Sequence, residues 1–168
     1  NGLFFFFFFL ARIIASRDDV ELVAVNASGS EEMIQYNLKY DTVHGPKHDV
    51  KVKDGYLYIG KDKAKILSER DPAKLDFASY GVDVILECTG AFLTQESCQV
   101  YIDNGVKKVV MSAPAKDDTP TFVFGANENT YAGQAIVSNA SCTTNGLAPV
   151  AKVLDDSFGI EKGLMTTI

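Results

Sequence analysis

The sequence predicts an α/β fold, an open and mainly parallel sheet with helices on both faces. Short runs of β-branched and apolar residues alternate with stretches in which apolar residues recur every three or four positions. That alternation is typical of strand–helix–strand units. Several strand-like runs end in turns of small residues, as at Cys88-Thr89-Gly90 and Ser112-Ala113-Pro114. No internal repeat interrupts the series, so we expect one continuous sheet-based plan.

The first element is unusual in composition. Six consecutive phenylalanines, Phe4 to Phe9, precede a helical pattern that resumes at Ala11 and ends near Ser16-Arg17. The apolar run is far too short for a transmembrane span and lacks the basic flank of a signal peptide, so we expect no membrane association. We also expect six exposed aromatic side chains to promote aggregation.

The middle of the chain predicts small strands around one helix. Val20 to Val25 is short, apolar and β-branched, and predicts a buried strand ending at Asn26. Asp54-Gly55 predicts a hairpin turn. The other predicted elements of this part are a helix at residues 31–38 and strands at residues 49–53, 56–59 and 63–67.

The next part predicts the parallel strands. Val82 to Glu87 is followed by a helix that Thr94 or Glu96 opens and that runs to about Asn104-Gly105. Further strands are predicted at residues 107–111, 121–124 and 135–137. Strand tips with small residues are where a ligand lies in such sheets.

The last helix begins next to a cysteine. Ser141 is an N-cap residue by type, apolar residues recur after it at helical spacing, and Gly159 stands where the helix stops. Cys142 therefore lies at a helix N-terminus, where the dipole and free N–H groups favour a thiolate. The hydroxyls of Thr143 and Thr144 add donors for a phosphate or an oxyanion. The alternative is a small buried cysteine among capping hydroxyls.

Composition limits the other functions. Hydrophobic residues make up 46% and charged residues 23% of 168, which is typical of a soluble globular chain. The net charge of −6 disfavours a nucleic-acid partner. The cysteines Cys88, Cys98 and Cys142 form no C-x-x-C pair, which predicts free thiols in a reducing compartment. We expect no metal site, because His44 and His48 lie in a polar loop.

One octapeptide carries a family resemblance. Ser138-Asn139-Ala140-Ser141-Cys142-Thr143-Thr144-Asn145, followed by Leu147-Ala148-Pro149, resembles the active-site segment of the glyceraldehyde-3-phosphate dehydrogenase family. Other blocks that agree in the same order are residues 18–26, 39–45, 89–90, 112–114 and 158–167. The resemblance covers nearly the whole chain except its first ten residues.

The resemblance implies a fold and an activity. It implies an NAD-binding, Rossmann-like domain at residues 1–141 that lacks its first strand, and the start of a catalytic domain at residues 142–168. The implied reaction is the NAD-dependent, phosphorylating oxidation of glyceraldehyde 3-phosphate to 1,3-bisphosphoglycerate in glycolysis. The family also implies an oxidoreductase that is a cytoplasmic homotetramer at full length, with the aldehyde and inorganic phosphate as partners.

The resemblance further implies roles for single residues. Cys142 is the nucleophile that forms a thioester, and Ser141 and Thr143 contact the attacking phosphate. The implied NAD contacts are Gly2, Asn26, Arg70, Thr89, Gly90, Phe92 and Ser112. From spacing alone, Phe92 is a core residue, and Arg70 is equally well a solvated surface residue.

The sequence departs from the family at several cofactor positions. Phe4 and Phe7 stand where the family has glycine, and Phe5 replaces an arginine. We expect these side chains to block the pyrophosphate, because backbone must touch phosphate there. Ala27 stands where the family has an aspartate that binds the ribose.

The catalytic base is the other departure. The family's catalytic histidine directly follows the position of Ile168, the last residue of the sequence. We therefore expect no turnover by the 168 residues alone. Two alternatives are a related erythrose 4-phosphate dehydrogenase and a non-catalytic nucleotide-fold fragment.

Overall fold

A computed structural model describes residues 4–167, so the predicted NAD contact Gly2 lies outside the described residues. Within that range the chain forms four α-helices and seven strands. The helices are α1 Phe4–Ile14, α2 Glu31–Lys39, α3 Gln95–Asp103 and α4 Cys142–Phe158. The strands are β1 Ala24–Asn26, β2 Val50–Lys53, β3 Tyr56–Ile59, β4 Asp62–Leu67, β5 Val84–Glu87, β6 Lys108–Met111 and β7 Ile136–Ser138.

The strands form two sheets across residues 4–167. The first has the order β1-β4-β3-β2, in which β1 runs parallel to β4 and the other neighbours are antiparallel. The second has the order β5-β6-β7 and is parallel throughout. The predicted α/β class with a parallel sheet is confirmed, although the described strands divide between two sheets.

Two hydrophobic clusters build the core. The first core cluster joins α1 and α2 to the β1-β4-β3-β2 sheet, and the second joins α3 to the parallel sheet. Ala24 of β1 and Leu67 of β4 pack against the second cluster. The first sheet therefore also contributes side chains to the surroundings of the second cluster.

Short-range hydrogen bonds cap two helices, and the hairpin predicted at Asp54-Gly55 is confirmed. Ser30 caps α2, where its side chain accepts a hydrogen bond from the backbone N–H of Met33. Thr94 and Ser97 form a reciprocal capping box at the start of α3. Asp54 and Gly55 both adopt positive φ, 54° and 74°, as a two-residue hairpin between β2 and β3 requires.

Two predicted strands differ from the structure. The strand predicted from Val20 to Val25 covers only Ala24–Asn26, because the N–H of Leu22 donates to the side chain of Asp62 instead of to a neighbouring strand. The strand predicted at residues 121–124 reduces to a single bridge between Thr121 and Ser138.

The second difference has a local cause. The N–H of Val123 donates to the side-chain oxygen of Asn127, which folds the chain into a turn. Phe124 then points away from the protein and is 83% exposed. An asparagine four residues ahead therefore competes successfully with the sheet ladder for this backbone.

The phenylalanine run forms most of α1. Phe8 is buried in the first core cluster, Phe7 packs against that cluster, and the Phe9 ring contacts His44 edge-on at 5.0 Å. The expectation that all six side chains are exposed is therefore wrong at Phe8. No helix in residues 4–167 has both the length and the apolar character needed to cross a membrane.

Candidate active site at the carboxyl edge of the parallel sheet

Three loops meet where β5, β6 and β7 end, because carboxyl ends of parallel strands share one edge. The N–H of Ser112 and its hydroxyl donate to the carbonyl of Glu87, at 3.0 and 3.1 Å. The hydroxyl of Ser138 donates to Ala113 at 2.8 Å, and the N–H of Asn139 donates to Met111 at 2.9 Å. These bonds tie the three strand tips to one another.

Cys142 is the first residue of α4 and is exposed. The capping oxygen of Ser141 accepts a hydrogen bond from the N–H of Thr144 at 3.0 Å. The same oxygen lies 2.9 Å from the Thr143 hydroxyl and 2.7 Å from the Thr144 hydroxyl. The alternative of a buried structural cysteine is therefore wrong, and Cys142 belongs to a helix N-terminus at which three neighbouring residues hold their hydroxyls together.

The turn before Cys142 is held in an unusual backbone conformation. Ala140 is a non-glycine residue with a φ of 58°, and its N–H donates to the hydroxyl of Ser138 at 3.1 Å. The side-chain amide of Asn145 donates to the carbonyls of Asn139 at 2.7 Å and Ser141 at 2.9 Å. Left-handed backbone at a non-glycine residue persists only where its surroundings enforce it, and these bonds supply that constraint.

The other two thiols have different surroundings. Cys98 is fully buried, and burial raises its pKa to about 11. Cys88 is half-buried, and burial also raises its pKa above the ordinary value. The exposed Cys142 is therefore the thiol best placed to act as a nucleophile.

Asn26 and Arg70 are connected through Glu69 at one turn beside β1. The Asn26 amide donates to the carbonyl of Glu69 at 2.8 Å and accepts from its N–H at 2.9 Å. The Glu69 carboxylate in turn accepts from the N–H of Arg70 at 2.8 Å. The exposed Arg70 is thus placed by a hydrogen-bonded clamp that begins at the end of β1. Ala27, where the family has an aspartate, is buried.

The remaining predicted contacts lie after β5. Thr89 is exposed and Gly90 has a φ of 70°, a conformation that glycine adopts without strain. Phe92 is half-buried against the second core cluster, with its ring edge-on to Tyr101 at 6.2 Å. Phe92 is therefore in contact with the core, as its spacing predicts, and its contact with adenine stays a prediction.

Sequence reasoning assigned no role to Glu87. This carboxylate ends the apolar strand β5, is 4% exposed, and accepts hydrogen bonds from Thr89 and from Tyr101. The signal was present, because a charged residue that closes a buried apolar run needs partners.

The edge suits one end of a dinucleotide better than the other. A dinucleotide lies across the carboxyl edge in sheets of this kind, and this edge bears the positive-φ turn at Gly90 together with Thr89 and Ser112. By contrast, a helix, α1, begins at Phe4, where the resemblance implies a glycine-rich turn for the pyrophosphate. Among the predicted contacts, Thr89, Gly90 and Ser112 are the ones at this strand edge that could hold a cofactor.

An α/β fold with an exposed thiol in the first turn of a helix, at the carboxyl edge of a parallel sheet, defines a class of nucleotide-fold proteins. Comparison with known proteins assigns the chain within that class. The family model described as glyceraldehyde 3-phosphate dehydrogenase, NAD binding domain, matches residues 9–95, and the C-terminal domain model of the same family matches residues 141–168. The chain belongs to the glyceraldehyde 3-phosphate dehydrogenase family, and NAD is the cofactor of its matched N-terminal domain.

Several curated relatives share its sequence. Glyceraldehyde-3-phosphate dehydrogenase of Pseudescherichia vulneris is 54% identical over 159 residues, which is 94% of this chain and 54% of the relative. The Klebsiella pneumoniae protein of that name has the same identity with 52% of its length covered. For glyceraldehyde-3-phosphate dehydrogenase A of Escherichia coli K12 the identity is also 54% and the coverage 48%. The chain spans about half the length of these relatives.

Proposed function

We propose that the protein containing this chain oxidises glyceraldehyde 3-phosphate to 1,3-bisphosphoglycerate with NAD and inorganic phosphate, as a glycolytic oxidoreductase. The observation that carries the proposal is the exposed Cys142 thiol at the start of α4, on the sheet edge that also bears Thr89 and Ser112. The relatives bear the name of this enzyme, and the alternatives of an erythrose 4-phosphate enzyme or a non-catalytic fragment are not favoured.

The proposed chemistry begins at the sulfur. The Cys142 thiolate forms a bond to the aldehyde carbon, and the carbonyl oxygen gains negative charge that the backbone N–H of Cys142 stabilises. Bound NAD would accept the hydride that leaves this carbon, and the carbon would then be a thioester carbonyl. A phosphate oxygen then attacks that carbon, the carbon–sulfur bond breaks, and the thiolate is restored. Ser141 and Thr143, whose hydroxyl oxygens lie 2.9 Å apart, donate to the phosphate in this scheme.

The same helix supports a proposed domain division. We propose that residues 1–141 belong to the NAD-binding domain and that residues 142–168 begin the catalytic domain, with the boundary at the cap of α4. In the full-length protein we propose a homotetramer in the cytoplasm. Light scattering of the purified full-length protein tests the assembly, and a monomer would contradict it.

Activity tests the reaction directly. The full-length protein should form NADH from NAD and glyceraldehyde 3-phosphate only when phosphate is present, and more slowly with erythrose 4-phosphate. Cys142→Ser should reduce kcat by at least about a thousandfold, because the alkoxide of serine is far harder to form. The control Cys88→Ser should retain activity. Turnover by the Cys142 variant at the wild-type rate would contradict the proposal.

Thiol labelling tests the nucleophile separately from turnover. Iodoacetate should alkylate Cys142 before Cys88 and Cys98, as read by peptide mass mapping. The order follows from exposure, since Cys98 is buried and Cys88 half-buried. Equal labelling of all three in the folded protein would contradict an activated Cys142.

A further inference from the structure

Glu87 is a buried carboxylate in contact with a core residue, Tyr101, and with a loop residue, Thr89. It is the last residue of β5 and is 4% exposed. A buried carboxylate is tolerated only when hydrogen bonds replace its lost water. The hydrogen-bond partners of the Glu87 carboxylate are therefore held in fixed positions relative to it.

Each carboxylate oxygen has its own partner. One oxygen accepts from the backbone N–H of Thr89 at 2.7 Å and from the Thr89 hydroxyl at 2.5 Å. The other accepts from the Tyr101 hydroxyl at 2.8 Å. The Thr89 hydroxyl oxygen also accepts from the N–H of Ala91 at 3.1 Å. The carboxylate thus folds the turn at residues 88–91 around one side chain.

The main chain of Glu87 reaches the neighbouring strand tip as well. Its carbonyl accepts from both the N–H and the hydroxyl of Ser112. Thr89 and Ser112 are the residues that carry the hydroxyls of the candidate cofactor edge. Glu87 therefore binds both strand tips: its side chain holds Thr89, and its backbone carbonyl holds Ser112.

Tyr101 is held rigidly behind the carboxylate. It is 4% exposed in the last turn of α3, and its ring lies 6.4 Å from Phe77 and 6.2 Å from Phe92. Burial, and then the negative charge of Glu87, raise the pKa of Tyr101 well above its ordinary value, so the hydroxyl stays a donor. The Thr94 capping box fixes the start of the same helix.

We propose that Glu87 and Tyr101 are positioning residues that set the affinity for NAD by holding the Thr89-Gly90 turn in its binding conformation. This inference rests on the proposed function, in which Thr89 and Gly90 contact the cofactor. Tyr101 holds the Glu87 carboxylate in place, and the carboxylate holds Thr89 in place. Neither Glu87 nor Tyr101 contacts the reacting atoms in this proposal. Their loss is expected to weaken NAD binding while leaving alkylation of Cys142 unchanged.

The test uses the full-length protein and measures the Kd for NAD, kcat, and the rate of Cys142 alkylation. Glu87→Gln leaves one acceptor oxygen for the donors of Thr89 and Tyr101, and should raise the Kd for NAD about tenfold. Tyr101→Phe removes one donor and keeps the ring, and should raise it about threefold. The double variant should match Glu87→Gln alone, because both changes break one chain of contacts.

Matched controls separate positioning from simple loss of stability. The exposed Tyr36, changed to phenylalanine, and the exposed Glu21, changed to glutamine, should leave the Kd unchanged. Leu57→Ala, in the first core cluster, should lower Tm without weakening NAD binding.

The outcomes divide cleanly. An unchanged Kd in Glu87→Gln and Tyr101→Phe, or a change no larger than that of Leu57→Ala at equal loss of Tm, overturns the inference while the proposed function stands. Strictly additive effects in the double variant also overturn it, because the two residues then act separately. A wild-type protein that binds no NAD overturns the proposed function and this inference with it.

Discussion

Removing the cap of α4 should lower both the stability of the helix and the reactivity of Cys142. The Ser141 oxygen accepts the N–H of Thr144 at 3.0 Å and contacts two further hydroxyls. Replacing an N-cap serine with alanine costs about 1 kcal/mol of stability. The first turn then frays, and the sulfur loses part of a helix-dipole stabilisation worth about 0.3–1 kcal/mol for a nearby anion.

The second figure converts into a rate. Complete loss of the dipole stabilisation, about 0.3–1 kcal/mol, would lower the alkylation rate of Cys142 about two- to fivefold, so Ser141→Ala should lower the rate by at most that factor. The assay is the pseudo-first-order rate of iodoacetamide labelling, which avoids phosphate and NAD and therefore isolates the cap from the proposed phosphate contact of Ser141. Thermal unfolding of the same Ser141→Ala sample gives the stability change.

Ser30→Ala is the matched control. Ser30 caps α2 by accepting from the N–H of Met33 at 3.3 Å, so its loss should cost comparable stability without slowing the labelling of Cys142. Ser141→Asp, which retains a cap, should restore the stability lost in Ser141→Ala. An unchanged labelling rate in Ser141→Ala, despite the expected stability loss, would refute the idea that the helix terminus activates the thiol.

Two further predictions concern backbone conformation and pH. Gly159 ends α4 with a φ of 72° and a ψ of 126°, so Gly159→Ala should lower the free energy of unfolding by about 1–3 kcal/mol. Gly146 lies inside α4 with open space around it, so Gly146→Ala should raise the free energy of unfolding by about 0.5–1 kcal/mol. Tm shifts of the same sign in the two variants would contradict this prediction. Hydrogen bonds, first from the Thr119 hydroxyl, hold the pKa of Asp117 below its ordinary value. Since the folded-state pKa is the lower one, its stabilisation is present above the unfolded pKa of about 3.9 and lost as pH falls. Urea unfolding should show Asp117→Asn less stable than wild type at neutral pH, with the difference closing in acid; a constant difference would contradict the assignment.

Much of the local structure could be predicted from the sequence. The caps at Ser30, Thr94 and Ser141 and the hairpin at Asp54-Gly55 each depend on atoms within about four residues of one another. A short pattern therefore contains the whole interaction. The placement of Cys142 at a helix N-terminus follows from the same kind of signal.

Contacts between distant residues decided the rest. The side chain of Asp62, 40 positions along the chain, accepts the N–H of Leu22, which therefore does not pair with a neighbouring strand. Packing in the first core cluster buries Phe8. Tyr101 reaches Glu87 across 14 positions from another element. Such contacts depend on which elements become neighbours, and a periodic pattern of apolar residues records only that a face is buried, without naming what buries it.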